Sequence, residues 1–339
     1  MRVLVLSHDD VRAALTPAAC LEAMAEVLAA HARGEAYMPL RSIMRPPGAA
    51  GLMGLMPAWR GDGEGGGDPE TALATFALKA ICLMRGNPAR GLDAHQGTVT
   101  LFDGETGRPT AILDASAITA VRTAAVTALA TRVLARADAT TLAIIGAGVQ
   151  AAAHIEALLA VREFESVRVY APTAEHVRAV IDGASGPGAQ GVELSAAASA
   201  EEAVRGADVV VAVTSSPEPV IRHRWLGPGT HVNAVGASTL ATRELEVETV
   251  AAAALFADSR ESLRQEAGEY RLALEQGAIS EDHVRAELGE VVAGLRPGRS
   301  DDGELTLFRS LGIAVEDLAA AEVAVAAARR LGRGTEVEL

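Results

Sequence analysis

The chain has 339 residues, 49% hydrophobic and 22% charged, which suffices for about two domains with a sizeable core and is too apolar for a disordered chain. Thirty basic against forty-four acidic side chains leave a net charge of −14, which repels nucleic acid, and 3% aromatics offers few rings for stacking bases; a negative total still permits a small positive pocket for one anionic metabolite. Cys20 and Cys82 have neither CxxC nor metal-ligand spacing, Asp9-Asp10 arrive before a signal peptide could form, and the most apolar stretch, Leu142 to Val161, is interrupted by Gln150, His154 and Glu156, so the expectation is a cytoplasmic protein with reduced thiols, no metal and no membrane span.

In chain order, Val3 to Leu6 reads as a strand, and Thr16-Pro17 supplies an N-cap and a first-turn proline for a helix ending at Gly34. Gly61 to Gly67 has the composition of a mobile surface loop. Leu73 to Leu83, Gly97 to Phe102 and Pro109 to Leu113 read as strands, the last two joined by a hairpin turn over Asp103 to Gly107, so this region predicts a largely antiparallel sheet. The rhythm changes at Thr119. A helix over Ala120 to Ala135 is followed by strands at Thr141 to Ile145, Ser166 to Tyr170, Val192 to Leu194, Asp208 to Val213, Thr230 to Val235 and Ala253 to Ala257, most of them separated by helices: a parallel sheet covered on both faces. Beyond Asp258 the chain reads mainly as helices, and the last, Gly312 to Leu331, carries alanines and valines that call for a packing partner. The fold class is α/β, a doubly wound sheet of Rossmann type preceded by a mixed α+β region.

Gly146-Ala147-Gly148-Val149-Gln150-Ala151 follows a strand and opens a helix. There Gly146 permits the tight turn, Gly148 lets main-chain N–H groups approach a pyrophosphate, and Ala151 allows close helix-to-strand packing, the pattern of a dinucleotide site. At the end of the next strand the chain reads Tyr170-Ala171-Pro172-Thr173, with no acid to receive a ribose hydroxyl and with Thr173 as an N-cap, which favours NADP(H) over NAD(H). Lys79 stands in an apolar strand, where the residues alone allow either a lysine reaching solvent at the strand end or a functional ammonium. Arg122 at a helix start and Arg41 in a loop are equally open between surface ion pairs and anion binding.

Four runs carry a resemblance: Ile118-Thr-Ala-Val-Arg122-Thr-Ala-Ala, Ile144-Ile-Gly-Ala-Gly-Val-Gln150, His231-Val-Asn-Ala-Val-Gly-Ala-Ser238 and Ser310-Leu-Gly-Ile-Ala-Val-Glu-Asp317. In order and spacing they resemble the ornithine cyclodeaminase and mu-crystallin family. The resemblance implies a homodimer, with a substrate-binding and dimerisation domain over 1–122 and 305–339 and a Rossmann domain over 123–304. It implies Lys79, Arg122 and Arg41 as the catalytic set around a substrate carboxylate, Thr123 and Ser238 beside the cofactor, and Met56, Ser238, Leu311 and Gly312 lining the substrate pocket. His95 matches the mu-crystallin pattern but reads better as a polar strand-edge residue, and Glu316 and Asp317 as structural acids. The cyclodeaminases of the family carry an Asp where this chain has Ser238 and a Glu where it has Gly54. Without them a second substrate ammonium has no partner, so the expected activity is reduction by NAD(P)H of an imine or ketimine alpha to a carboxylate, or the reverse amino-acid dehydrogenation. A redox-neutral cyclodeaminase and a non-enzymatic small-molecule binding protein are the alternatives. The mu-crystallin-like arginine that would fork a 2′-phosphate is Pro172 here.

Overall fold

The computed structural model describes residues 2–61, 74–84, 86–184 and 189–339; the expected glycine-rich loop after Gly61, and Leu73, lie outside the described residues. In chain order the strands are Arg2–Leu6 (β1), Ala36–Tyr37 (β2), Ser42–Met44 (β3), Leu52–Arg60 (β4), Thr75–Leu83 (β5), His95–Asp103 (β6), Pro109–Asp114 (β7), Thr141–Ile145 (β8), Ser166–Tyr170 (β9), Glu193–Ala196 (β10), Val209–Ala212 (β11), His231–Ala234 (β12), Ala254–Ala257 (β13), Val284–Glu287 (β14), Thr306–Arg309 (β15) and Thr335–Glu338 (β16). They form two eight-stranded sheets, one in each of two compact units, 1–122 with 312–339, and 123–311.

The sheet of the first unit runs β16-β1-β7-β6-β5-β4-β2, with β3 also on β4. Its pairs are antiparallel except β1 with β7. β4 escapes a reading of the sequence because Gly54 and Pro57 interrupt its strand pattern. Its register explains why both are tolerated: β3 pairs residues 53–55 and β2 pairs residues 59–60, so Pro57 falls where one flank has no strand partner and no N–H is needed there. The helix Pro17–Arg33 has the expected caps, the Thr16 hydroxyl accepting from Ala19 N–H and Gly34 closing the end at φ +80°. The helix Ala314–Leu331 packs between this helix and strands β4, β5 and β6. Its small side chains are buried on most sides, which answers the apolar pattern seen in the sequence.

The second unit holds a fully parallel sheet in the order β10-β9-β8-β11-β12-β15-β13-β14. Strands β11, β12 and β15 are buried along their whole length, so they lack alternation. The stretch beyond Asp258 is less helical than its sequence suggests. β15 enters the sheet between β12 and β13. That insertion moves the C-terminal return to the first unit from the expected residue 305 to Gly312. The helix Ala115–Leu134 begins five residues before the expected Ala120 and is long and apolar enough to span a membrane, which the sequence reading passed over; 83% of that stretch is buried inside the protein, as in a core helix.

Candidate active site

Lys79, the only lysine among the thirty basic residues, lies mid-strand on β5 and is 2% exposed. It does not reach solvent. Its Nζ lies 2.7 Å from Asp317 Oδ2 and donates to Thr119 Oγ1 at 3.5 Å. Arg122 donates through Nε to Asp317 Oδ1 and through Nη1 to Glu316 Oε2, each at 2.9 Å. One carboxylate thus bridges the ammonium and the guanidinium. An unpaired ammonium at that depth would cost several kcal/mol, and Asp317 offsets that cost. Burial, opposed by Asp317 and assisted by Arg122 and Arg41, lowers the Lys79 pKa to about 8. Desolvation is the largest of these causes. Burial raises the Asp317 pKa, but the Arg122 and Lys79 charges outweigh it and hold the carboxyl below its usual range. Cys20 is buried next to the same charges, and desolvation pushes its thiol up to about 12, so it stays protonated.

Gly312 joins the two arginines. Its carbonyl accepts from Arg41 Nη2 at 2.8 Å, and a Cβ built at its φ of +73° would stand 2.5 Å from Arg122 Nη1. Met56, buried on β4, is opposite Lys79 in register, and Gly54 lies two residues away on the same face, where the atoms nearest to a Cβ would be those of Ile43 and Ile81. His95 belongs to β6 rather than preceding it. It is half-exposed, and Asp93, which accepts from its backbone N–H at 3.0 Å, also accepts from the Ser116 hydroxyl. The structure therefore brings Lys79, Arg122, Arg41, Gly312 and Met56 together in the first unit. The acids that complete the cluster, Glu316 and Asp317, carried only the signal of an Asp-Glu pair in a helix first turn.

In the second unit Gly146 follows β8 at φ +124°, its N–H bonded to Tyr170 O at 2.8 Å, and a Cβ there would stand 2.7 Å from Val213 O. Gly148 is the N-cap of the helix Val149–Leu159 and gives it no side-chain cap, and a Cβ at Gly148 would meet nothing within 4 Å. Ala147 is half-buried, Val149 is 63% exposed, and Gln150 has a buried Oε1 without a hydrogen-bond partner. Open space, uncapped N–H groups and an exposed valine at the carboxyl ends of parallel strands fit a dinucleotide pyrophosphate. Thr173 stands just before the helix Ala174–Ala184, exposed, with its carbonyl accepting from His176 and Val177; Arg178 is tied to Glu175 at 3.5 Å. Thr123 and Leu311 are buried in this unit, and Ser238 is exposed beyond β12. His231 and Asn233 of the same motif are structural: the imidazole bonds Thr306 and Asn233, Asn233 donates to Thr131, and burial lowers the His231 pKa to about 3, leaving the ring neutral.

Fold and site define a dinucleotide-binding α/β protein with a buried, cation-rich cluster. The chain belongs to the ornithine cyclodeaminase/mu-crystallin family, which matches residues 1–330. It is 37% identical to the ketimine reductase mu-crystallin of Mus musculus over 86% of this chain and 85% of that one. Its fold is similar to Δ1-pyrroline-2-carboxylate reductase of Thermococcus litoralis, solved with NADH and L-proline, at TM-score 0.90 and 33% identity over 99% of this chain and 100% of that one. An archaeal alanine dehydrogenase solved as a dimer with bound NAD gives TM-score 0.90 and 31% identity over the full length of both chains.

Proposed function

We propose that the protein is an NAD(P)H-dependent reductase of an imine alpha to a carboxylate, giving an amino acid, and runs the reverse dehydrogenation when the amino acid is in excess. The carrying observation is the convergence of cations in the first unit: Lys79 and Arg122 meet on Asp317, Arg122 also reaches Glu316, and Arg41 stands beside them on the Gly312 carbonyl, a setting suited to one substrate carboxylate. Gly146, Ala147, Gly148, Val149 and Gln150 would hold the pyrophosphate of a reduced dinucleotide, which when bound would supply the hydride. Arg41 and Arg122 hold the carboxylate, and Lys79 delivers its Nζ proton to the imine nitrogen as the carbon accepts the hydride, which leaves a neutral amine on Lys79 that regains a proton from water, the Asp317 carboxylate favouring the ammonium form. The apolar surroundings of Gly54 and the hydroxyl at Ser238 offer no anion to a second ammonium, which disfavours cyclodeamination.

The cofactor preference is a modest one for NADP(H), supported by the absence of an acid at Pro172-Thr173 and limited by the Arg178–Glu175 pair. The active form is a homodimer, and the outer face of the first sheet supports it: Tyr37, Trp59, Phe76 and Phe102 lie side by side in register across β2, β4, β5 and β6, with Tyr37 and Phe76 exposed. The cytoplasm remains the expected compartment, in keeping with two free cysteines. The test is the absorbance of reduced cofactor with cyclic ketimine carboxylates, with pyruvate plus ammonia or methylamine, and with ornithine. Oxidation of NAD(P)H with an imine is the expected result; ammonia released from ornithine without net cofactor change overturns it. Sedimentation equilibrium at assay concentration checks the dimer.

A further inference from the structure

Beyond the residues that touch cofactor or substrate in this reading, a second buried charge group stands at the carboxyl ends of β11 and β12. Glu244 is 0% exposed. Its Oε1 accepts from Thr214 N–H at 2.6 Å and Thr214 Oγ1 at 2.9 Å, and its Oε2 from Gly236 N–H at 2.7 Å and Ala237 N–H at 3.1 Å. Four donors on one buried carboxylate are far more than solubility or packing requires, and they tie the loop after β11 to the loop after β12. The two loops touch: a Cβ at Gly236 would stand 2.0 Å from Thr214 O, while Val213 abuts the Gly146 turn. From the other side Arg309, also buried, donates to the carbonyls of Ala234 and Ser310, each at 2.8 Å, and to the carbonyl of Ala237, with its Nε 2.5 Å from Glu269 Oε1. The N–H of Ala237 is therefore held by an anion and its carbonyl by a cation, and the next residue is the exposed Ser238.

We propose that Glu244 and Arg309 form a positioning clamp that fixes the Gly236-Ala237-Ser238 segment against the dinucleotide turn and so sets the placement of the nicotinamide ring for hydride transfer. The inference rests on the reductase reading. The clamp holds the loops by their main-chain groups, with the Thr214 hydroxyl as an additional side-chain donor. A carboxylate is required because every group it meets at these two loops is a donor; an amide in its place would aim its own N–H at one of them. The loops carry small residues because the clamp brings them within van der Waals distance, and the ring end of a dinucleotide bound at the β8 turn extends toward the carboxyl ends of the neighbouring strands.

The experiment compares wild type, Glu244→Gln, Ser238→Ala, the double variant and the milder Thr214→Val, below their melting temperatures. Its readouts are the NADH Kd by calorimetry without substrate, expected within about threefold of wild type in Glu244→Gln and Thr214→Val, the NADH KM, single-turnover hydride transfer and the primary isotope effect with 4-deuterated NADH. Glu244→Gln is expected to slow hydride transfer about a hundredfold, the cost of a roughly 1 Å misplacement, while the NADH KM moves by less than about threefold. The isotope effect on kcat should then rise toward its intrinsic value. Thr214→Val, which keeps one of the two Thr214 bonds, should shift the same quantities in the same direction by about tenfold or less, and serves if Glu244→Gln fails to fold. Because Glu244 acts through Ser238, the double variant should be no slower than Glu244→Gln. Wild-type hydride transfer in Glu244→Gln, or in Thr214→Val if that variant alone folds, overturns the clamp, as does full multiplication of the two single effects. If wild type oxidises no NAD(P)H with any carboxylate imine, the reductase reading itself fails and the clamp with it.

Discussion

The candidate binding edge of the second unit is made of main chain: Gly146 turns tightly against Val213, and Gly148 leaves open space above uncapped N–H groups. The cluster of the first unit is made of charged side chains, Lys79, Arg122, Glu316 and Asp317, buried in a sheet-and-helix core with Arg41 beside them. Main-chain dipoles cost no side-chain entropy and keep their strength at any pH, which suits a cofactor that is bound in every turnover. Buried charges are costly to assemble, respond to pH and gain strength from exclusion of water, which suits the place where a proton moves. In the proposed reading the two units therefore divide binding from proton chemistry, and substitutions in one should leave the other's readout intact.

The largest expected effect is that of Lys79→Met, which removes the proton and charge while Asp317 keeps its bond to Arg122. Turnover should fall by about 10²–10³-fold with NADH affinity unchanged, by stopped-flow and calorimetry respectively. Undiminished turnover would place the proton elsewhere. Gly148→Val inverts the pattern. Its Cβ enters open space, so thermal stability should hold while the NADH Kd rises about a hundredfold or more, and equal affinity would move the cofactor from this turn.

A pH profile sharpens the division. Lys79 is charged below about pH 8 and neutral above it. Reductive kcat/KM should therefore decline about tenfold per unit beyond that value, oxidation of the amino acid should rise up to it and level off above it, and cofactor affinity should stay level. With a single lysine in the chain, isotope-labelled lysine gives one side-chain signal, and its titration midpoint tests the assignment directly; a midpoint near 10.5 would refute it. Gly312→Ala should be milder. The positive φ and the approach to Arg122 cost about 1–2 kcal/mol, seen as a lower Tm, and displacement of the guanidinium should raise the imine KM about tenfold at little change in NADH KM. The smallest effect concerns the coenzyme: kcat/KM for NADPH should exceed that for NADH by less than about tenfold, or 1.4 kcal/mol, and a larger preference for NADH would show that the missing acid beyond β9 does not set the choice.

Of the fold, the second unit was the more legible. Strands β8 and β9 fall on Thr141–Ile145 and Ser166–Tyr170 as their apolar runs predict, and the caps of Pro17–Arg33 are Thr16 and Gly34. β4 and β15 were not legible, the first because its glycine and proline are tolerated only through the gap between β2 and β3, the second because its polar ends, Thr306 and Arg309, are satisfied by distant partners. Resemblance named Lys79, Arg122 and Arg41, but the anion on which the first two converge was not foreseen.

What the sequence determined by itself is whatever depends on neighbours within a turn or a strand: helix caps, the Gly146–Ala151 turn, and the apolar runs of a covered parallel sheet. What tertiary structure decided is which charges meet. Arg122 and Asp317 stand 195 residues apart in the chain and 2.9 Å apart in space, and Glu244 gathers donors from two loops that no local pattern connects. Propensities and caps act through bonds a few residues long, whereas the energy of a buried ion depends on every group packed around it, and only the folded chain specifies those groups.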